Sequence, residues 1–134
     1  MRPPNLKLSL ALILISLLLL PGFACPAIQA NARDTSAALQ GALTAAQTQY
    51  QAQCTVPTGA PASTALPCTT ITKAIAGQNA LITATEAYCG WNPLSPPTNP
   101  ATAVCTPVKG AAAGLQTAIA NANLFVTELK GIIQ

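Results

Sequence analysis

Four cysteines bracket the two proline-rich stretches of this 134-residue chain. They are Cys54, Cys68, Cys89 and Cys105. The stretches, residues 55–67 and 90–104, contain three and four prolines. Proline lacks a backbone N–H and clashes with the preceding helical turn, so a helix does not run through either stretch. We therefore expect separate folded segments joined by two long loops, with a cysteine at each end of each loop.

Helical repeats flank these loops on both sides. Between Cys68 and Cys89, mostly apolar residues recur every three or four positions, with Gln78 and Thr85 as polar interruptions, which predicts one face of a helix. This repeat consists of Ile71, Ile75, Gln78, Ile82, Thr85 and Cys89, with Ala74, Leu81 and Tyr88 beside it. Thr69 or Thr70 is a suitable N-cap residue for this helix, and Gly90 is a suitable residue to end it.

The last 29 residues carry the most regular repeat. Its members are Val108, Ala112, Leu115, Ile119, Ala122, Val126, Leu129 and Ile133. Thr106 followed by Pro107 predicts the start of this helix, because proline fits the first helical position. A further helix before Cys54 is indicated by the spacing of Leu39, Leu43, Ala46 and Tyr50. The fold class predicted is all-α: an up-down-up three-helix bundle with two long proline-rich loops.

Helix length decides how the four cysteines pair. The second helix, with about 20 residues between its cysteines, spans ~30 Å at 1.5 Å per residue. Disulfide-bonded cysteines need Cα atoms within about 7 Å, so Cys68 cannot reach Cys89. In an up-down-up bundle Cys54 and Cys89 also lie at opposite ends. The predicted disulfides are Cys54–Cys68 and Cys89–Cys105, each contributing about 3 kcal/mol on the chain-entropy model.

Metal binding by these cysteines is not expected. Zinc sites made of cysteines usually bring their ligands in pairs about two to four residues apart. Here 13 and 15 residues intervene within the two pairs, and the chain contains no histidine. No cofactor is predicted either.

The first 24 residues have the layout of a secretory signal peptide. Arg2 and Lys7 precede an apolar run over residues 8–20, which Pro21 and Gly22 end. The run is shorter than the ~20 residues that span a bilayer as a helix, although an uncleaved signal helix is the alternative. Export predicts an oxidising compartment, in which disulfides persist.

Cys25, the fifth cysteine, is predicted to be a lipid attachment site. Four cysteines pair among themselves, so Cys25 is either acylated or removed with the signal peptide. Ala24 before it fits a lipoprotein signal, whereas cleavage after Ala30 or Ala32 is the ordinary alternative. The apolar repeat of helix one extends back to Ile28, which favours cleavage before Cys25. Residues 25–33 are then either the start of helix one or a tether before a disulfide-linked three-helix domain over residues 34–134.

Charge and composition exclude several functions. The net charge is +3 for the whole chain, but four basic and three acidic side chains remain after residue 24, a net charge of +1. Nucleic-acid binding needs clustered lysine and arginine, so it is not expected. Without histidine or paired carboxylates, no catalytic arrangement is apparent, and the chain is predicted not to be an enzyme.

Trp91 and four glycines are the remaining residues of interest. Trp91, the single tryptophan, lies just after the second helix and is a candidate partner contact, because loop tryptophans often anchor partners. We favour a structural role instead, with the ring packed at the end of the bundle. Close approach between helices is the expected reason for glycines inside the helical stretches. Those glycines are Gly41, Gly77, Gly110 and Gly114.

These features predict a non-enzymatic exported protein of a bacterial cell envelope. It would be a small lipoprotein, anchored in the membrane on the periplasmic or outer side, acting as a structural or protein-interaction module. An envelope protein is the expected partner, and pairing with a second copy through a low-charge helix face is a further prediction. The alternative is a soluble secreted binding module for a small apolar ligand, which needs a cavity between helices.

Overall fold

The computed structural model describes residues 24–96, 98, 105 and 107–133, with side chains from residue 27 onward. This part of the chain contains three α-helices and no β-strand. The helices are α1, Ala24–Cys54, α2, Leu66–Cys89, and α3, Ala112–Ile132. Each helix packs against the other two. The all-α prediction is confirmed, whereas residues 1–23 of the predicted signal peptide and most of the loop after residue 96 lie outside the described residues.

Long-range contacts establish the direction of each helix. The Cys54–Cys68 disulfide joins the end of α1 to the first turn of α2, so these two helices run in opposite directions. The hydroxyl of Tyr50 donates a hydrogen bond to the carbonyl oxygen of Ile132, which places the ends of α1 and α3 together. The topology is therefore up-down-up.

Both predicted disulfides are present. The Cα atoms lie 5.2 Å apart in Cys54–Cys68 and 4.5 Å apart in Cys89–Cys105. The pairing that helix length dictated is thus confirmed, and each bond closes the loop between two consecutive helices.

Helix α1 is long and continuous. It covers 31 residues, so residues 25–33 are helical and Asp34 lies inside the helix on its exposed side. Ala32 is fully buried and Ile28 packs against the core, so the buried face of α1 extends well before Asp34.

Helix α2 begins earlier than its threonines predicted. It starts at Leu66, with Pro67 in its first turn and no side-chain cap on Ala65. The prediction of Thr69 or Thr70 as the N-cap was wrong, because proline is well suited to a first turn and lets the helix begin before Cys68. The predicted end is confirmed. Gly90 adopts a left-handed φ of 75°, and its N–H bonds to the carbonyl of Glu86.

Helix α3 begins later than Thr106 and Pro107 predicted. It starts at Ala112, after a turn in which Gly110 has a φ of 90°. The N–H of Val108 donates to the carbonyl of Tyr88 over 3.2 Å, which holds this segment against the end of α2. Because of this hydrogen bond, the helix starts later than predicted. Val108 is 55% exposed, so the prediction that it lies on the buried face was wrong.

The core lies along the axis between the three helices and consists mainly of leucine and alanine. Its largest fully buried apolar side chains are Leu39, Leu81, Leu115 and Leu129. Most of the predicted face of α2 is confirmed, because its buried residues include Ile71, Ala74, Gln78, Leu81, Thr85 and Tyr88. The predicted members Ile75 and Ile82 are instead 39% exposed and half-buried, respectively. Both isoleucines line a surface hollow between α1 and α2.

One glycine is required by close helix approach. A Cβ atom on Gly77 would collide with the ring of Phe125 on α3. Gly41 and Gly114 have open space at the corresponding position, and Gly110 lies in the turn before α3. The expectation of close approach is therefore confirmed for Gly77 and wrong for the other three.

Candidate functional site

A solvent-open groove of about 490 Å³ runs between α1 and α2 near the Cys54–Cys68 disulfide. The C-terminal half of α1 forms one wall, the first half of α2 forms the other, and the loop after Cys54 closes the end. Its lining residues on the helices include Gln47, Thr48, Gln51, Ile71, Thr72 and Ile75. The disulfide fixes this end of the groove, because it holds the two walls together.

A narrower section of about 240 Å³ continues the groove toward the middle of the bundle. Gln47 and Ile75 line both sections, which are therefore neighbours, and we name the two together the α1–α2 groove. The narrow section reaches Gln78 on α2, and Leu94 from the loop after α2 borders it. The loop therefore folds back over the helix pair.

The lining of the α1–α2 groove combines aliphatic side chains with side-chain amides. The aliphatic side chains are Leu43, Val56, Ile71, Ile75, Ile82 and Leu94. The side-chain amides are Gln40, Gln47, Gln51, Gln78 and Asn79. The described residues that line it include no Asp, Glu, Lys or Arg.

Gln78 leaves one polar atom unmatched beneath this groove. Its side chain is 5% exposed, and its Nε2 donates a hydrogen bond of 2.9 Å to the hydroxyl of Ser36, which is fully buried. The Oε1 atom is buried and has no partner among the described residues. Buried polar atoms are nearly always hydrogen-bonded, because an unmet acceptor costs free energy.

The other polar interruption of the α2 face is satisfied within its own helix. Thr85 is fully buried, and its hydroxyl donates a hydrogen bond of 2.7 Å to the carbonyl of Leu81. Of the two polar residues that broke the predicted apolar repeat, Gln78 alone has an unmatched buried atom in the described structure.

Trp91 is buried, with 9% of its surface exposed. Its Nε1 atom is also buried and has no hydrogen-bond partner in the part of the chain that the structure describes. Pro93 after it is buried too, whereas Leu94 is 41% exposed. Partner binding through Trp91 stays a prediction, and it would require the ring to leave this buried position.

Cys25 lies at the opposite end of α1 from the groove. Its backbone is in the first turn of the helix, and its side chain is outside the described residues. The wide section begins at Gln47, about 33 Å further along α1 at 1.5 Å per residue. Any attachment at Cys25 would therefore leave the groove unobstructed.

The ionisable residues are dispersed. Asp34, Glu86 and Glu128 lie exposed on α1, α2 and α3, respectively. The described residues contain no group of three or more His, Cys, Asp or Glu that could hold a metal ion. No described helix is long and apolar enough to cross a membrane.

The α1–α2 groove was missed by the sequence reasoning, although one signal for it was present. Gln40, Gln47 and Gln51 recur at steps of seven and four, which places them on one flank of α1 beside the buried leucines. Their role depends on which side chains of α2 lie opposite them, and the apolar repeat did not specify these.

Comparison of the chain with protein-family models, curated proteins and solved structures finds no match in any of the three.

Proposed function

We propose that this chain is a non-enzymatic exported envelope protein, attached to a membrane through a lipid on Cys25, that acts as a structural or protein-interaction module. The observation that carries the proposal is the pair of disulfides that link the three helices. Disulfides persist in oxidising compartments and are rare in the cytosol, so these two bonds favour an exported protein.

The position of Cys25 supports the anchor. Helix α1 runs without a break from the residue before Cys25 into the core. A lipid on Cys25 would hold the bundle through a helix and not through a flexible tether. Lipoprotein anchoring uses more than one acyl chain, because a single chain binds a membrane only marginally.

Intact-mass analysis with membrane fractionation tests the anchor. The wild-type chain is expected to begin at Cys25, to carry the mass of its acyl chains and to sediment with membranes. Cys25→Ser should remove the acyl mass and abolish retention in the membrane. The matched control Ala37→Ser, at an exposed position of α1, should behave as wild type. Unchanged processing and fractionation of Cys25→Ser would contradict the anchor.

A second function is favoured by the α1–α2 groove: a secreted binding module for a small ligand with an apolar body. The wide section alone, at about 490 Å³, falls within the ~300–1,000 Å³ of typical small-molecule sites. The ligand would lie between α1 and α2, because leucines fill the centre of the bundle. Saturable displacement of a fluorescent apolar probe would support this function. If the probe is not displaced, the ligand-binding function is excluded and the interaction module remains the proposed function.

A further inference from the structure

We propose that the Cys54–Cys68 disulfide is a site of thiol–disulfide exchange in the folded protein, whereas the Cys89–Cys105 disulfide resists this reaction. The substrate class is a thiol of low molecular weight, which reacts as its thiolate. The inference goes beyond the functions proposed above. It depends on where the sulfur atoms lie in the fold, and neither on a ligand in the groove nor on a lipid at Cys25.

The Cys54–Cys68 disulfide is within reach of a thiol in solution. Both cysteines line the wide section of the α1–α2 groove, which is open to solvent. Cys54 is half-buried, whereas Cys68 is only 5% exposed. A thiolate must reach the sulfur atom that it attacks, so we expect the attack at the Sγ of Cys54.

The place of Cys68 in α2 makes its sulfur a good leaving group. Cys68 is the third residue of the helix, whose first turn contains no acidic residue and is capped by no described side chain. The unpaired N–H groups and the positive end of the helix dipole stabilise a thiolate at this position. A disulfide opens faster when the departing sulfur holds a negative charge easily. Cys54 ends α1, where the dipole has the opposite sign, so Cys68 should depart and Cys54 should keep the new bond.

The Cys89–Cys105 disulfide lies at the negative end of the same helix. Cys89 is the last residue of α2, where backbone carbonyl groups are exposed at the helix end. The Sγ of Cys105 is buried and lies 3.9 Å from the carbonyl oxygen of Tyr88. A thiolate released at either cysteine would therefore face partial negative charge, so this bond should open slowly.

The exchange step conserves atoms and charge. The sulfur of the attacking thiolate bonds to the Sγ of Cys54 while the bond between Cys54 and Cys68 breaks, and the electron pair of the broken bond stays on Cys68. The products are a mixed disulfide at Cys54 and a thiolate at Cys68. A second thiolate then attacks the mixed disulfide and releases Cys54, so that two thiols are oxidised to their disulfide and one disulfide of the protein is reduced.

Timed alkylation of the folded chain tests the proposal. The full chain carries Cys25→Ser, so its remaining cysteines are the four in disulfides. It is exposed to 2-mercaptoethanol without denaturant, alkylated with N-ethylmaleimide at intervals and mapped by mass spectrometry. Cys54–Cys68 should open at least about ten-fold faster than Cys89–Cys105, with 2-mercaptoethanol on Cys54 and the maleimide on Cys68. Equal rates would overturn the proposal, because opening through global unfolding exposes both bonds together.

A substitution in the first turn of α2 isolates the effect of the helix end. Leu66 is 71% exposed, so Leu66→Glu and its matched control Leu66→Gln differ in charge without removing a core side chain. Leu66→Glu should open Cys54–Cys68 about two- to five-fold more slowly than Leu66→Gln, because its carboxylate offsets the positive end of the helix. The rate at Cys89–Cys105 should be the same in both variants.

The possible results separate the parts of the proposal. If 2-mercaptoethanol is retained on Cys68, the direction of attack is refuted. If the two Leu66 variants react equally fast at Cys54–Cys68, the role of the helix end is refuted. If Cys89–Cys105 opens as fast as Cys54–Cys68 or faster, the exchange site itself is refuted. Circular dichroism before the reaction checks that both variants have the helix content of the parent chain.

Discussion

At the scale of single residues, the buried pair Ser36 and Gln78 connects α1 to α2 through one hydrogen bond. We expect Ser36→Ala to lower the free energy of unfolding by about 1–3 kcal/mol, because it leaves a second polar atom of Gln78 unmet. Combining it with Gln78→Leu should recover most of the loss, since replacing both partners by apolar groups is nearly neutral.

Denaturation in guanidinium chloride measures this coupling. Thr44→Ala is a control, because its exposed hydroxyl bonds only the carbonyl of Gln40 within the same helix. It should change the free energy of unfolding by less than about 0.5 kcal/mol. Additive losses in the Ser36 and Gln78 double variant would show that the bond does not couple the two helices.

At the scale of helices, the contact between Gly77 and Phe125 determines how closely α2 and α3 pack. Gly77→Ala should destabilise the fold by about 1–3 kcal/mol, because the ring of Phe125 must move. Gly41→Ala, with open space at its Cβ position, should instead stabilise it by up to about 1 kcal/mol through helix propensity. Thermal unfolding compares the two, and equal melting temperatures would contradict a close approach at Gly77.

The helices also show which features of the fold could be predicted from the sequence. Periodicity predicted their number and the buried residues Leu39, Leu115 and Leu129, because long amphipathic repeats have few alternative arrangements. Helix starts were less predictable. The start of α2 depended on Pro67 and that of α3 on the bond between Val108 and Tyr88, a contact between segments distant in sequence.

The groove was beyond prediction for a related physical reason. On α2, both Ile75 and its neighbour Ala74 are compatible with a buried face, and packing against two helices selects Ala74. The predicted face included both residues, so the apolar repeat did not show which of them enters the core and which lines a surface between helices.

At the scale of the whole molecule, two disulfides support a core rich in alanine. Replacing either pair, Cys54 with Cys68 or Cys89 with Cys105, by alanine should lower the free energy of unfolding by about 3 kcal/mol. The two losses should be similar, because the bonded residues are 14 and 16 positions apart. Removing both should approach the entire stability of a small domain, about 5–15 kcal/mol. Chemical denaturation of the three variants measures this, and a loss confined to one pair would contradict it.

The placement of the disulfides also gives the chain a particular covalent connectivity. Each bond closes a ring around one interhelical loop, and the two rings share no residue. A protease that cuts once between Cys54 and Cys68, for example beside the exposed Val56, opens the backbone but releases no fragment. The nicked chain should run as one band on a non-reducing gel and as two after reduction. A protein built in this way keeps its fragments covalently linked after a single cut in a loop, where proteases cut most readily.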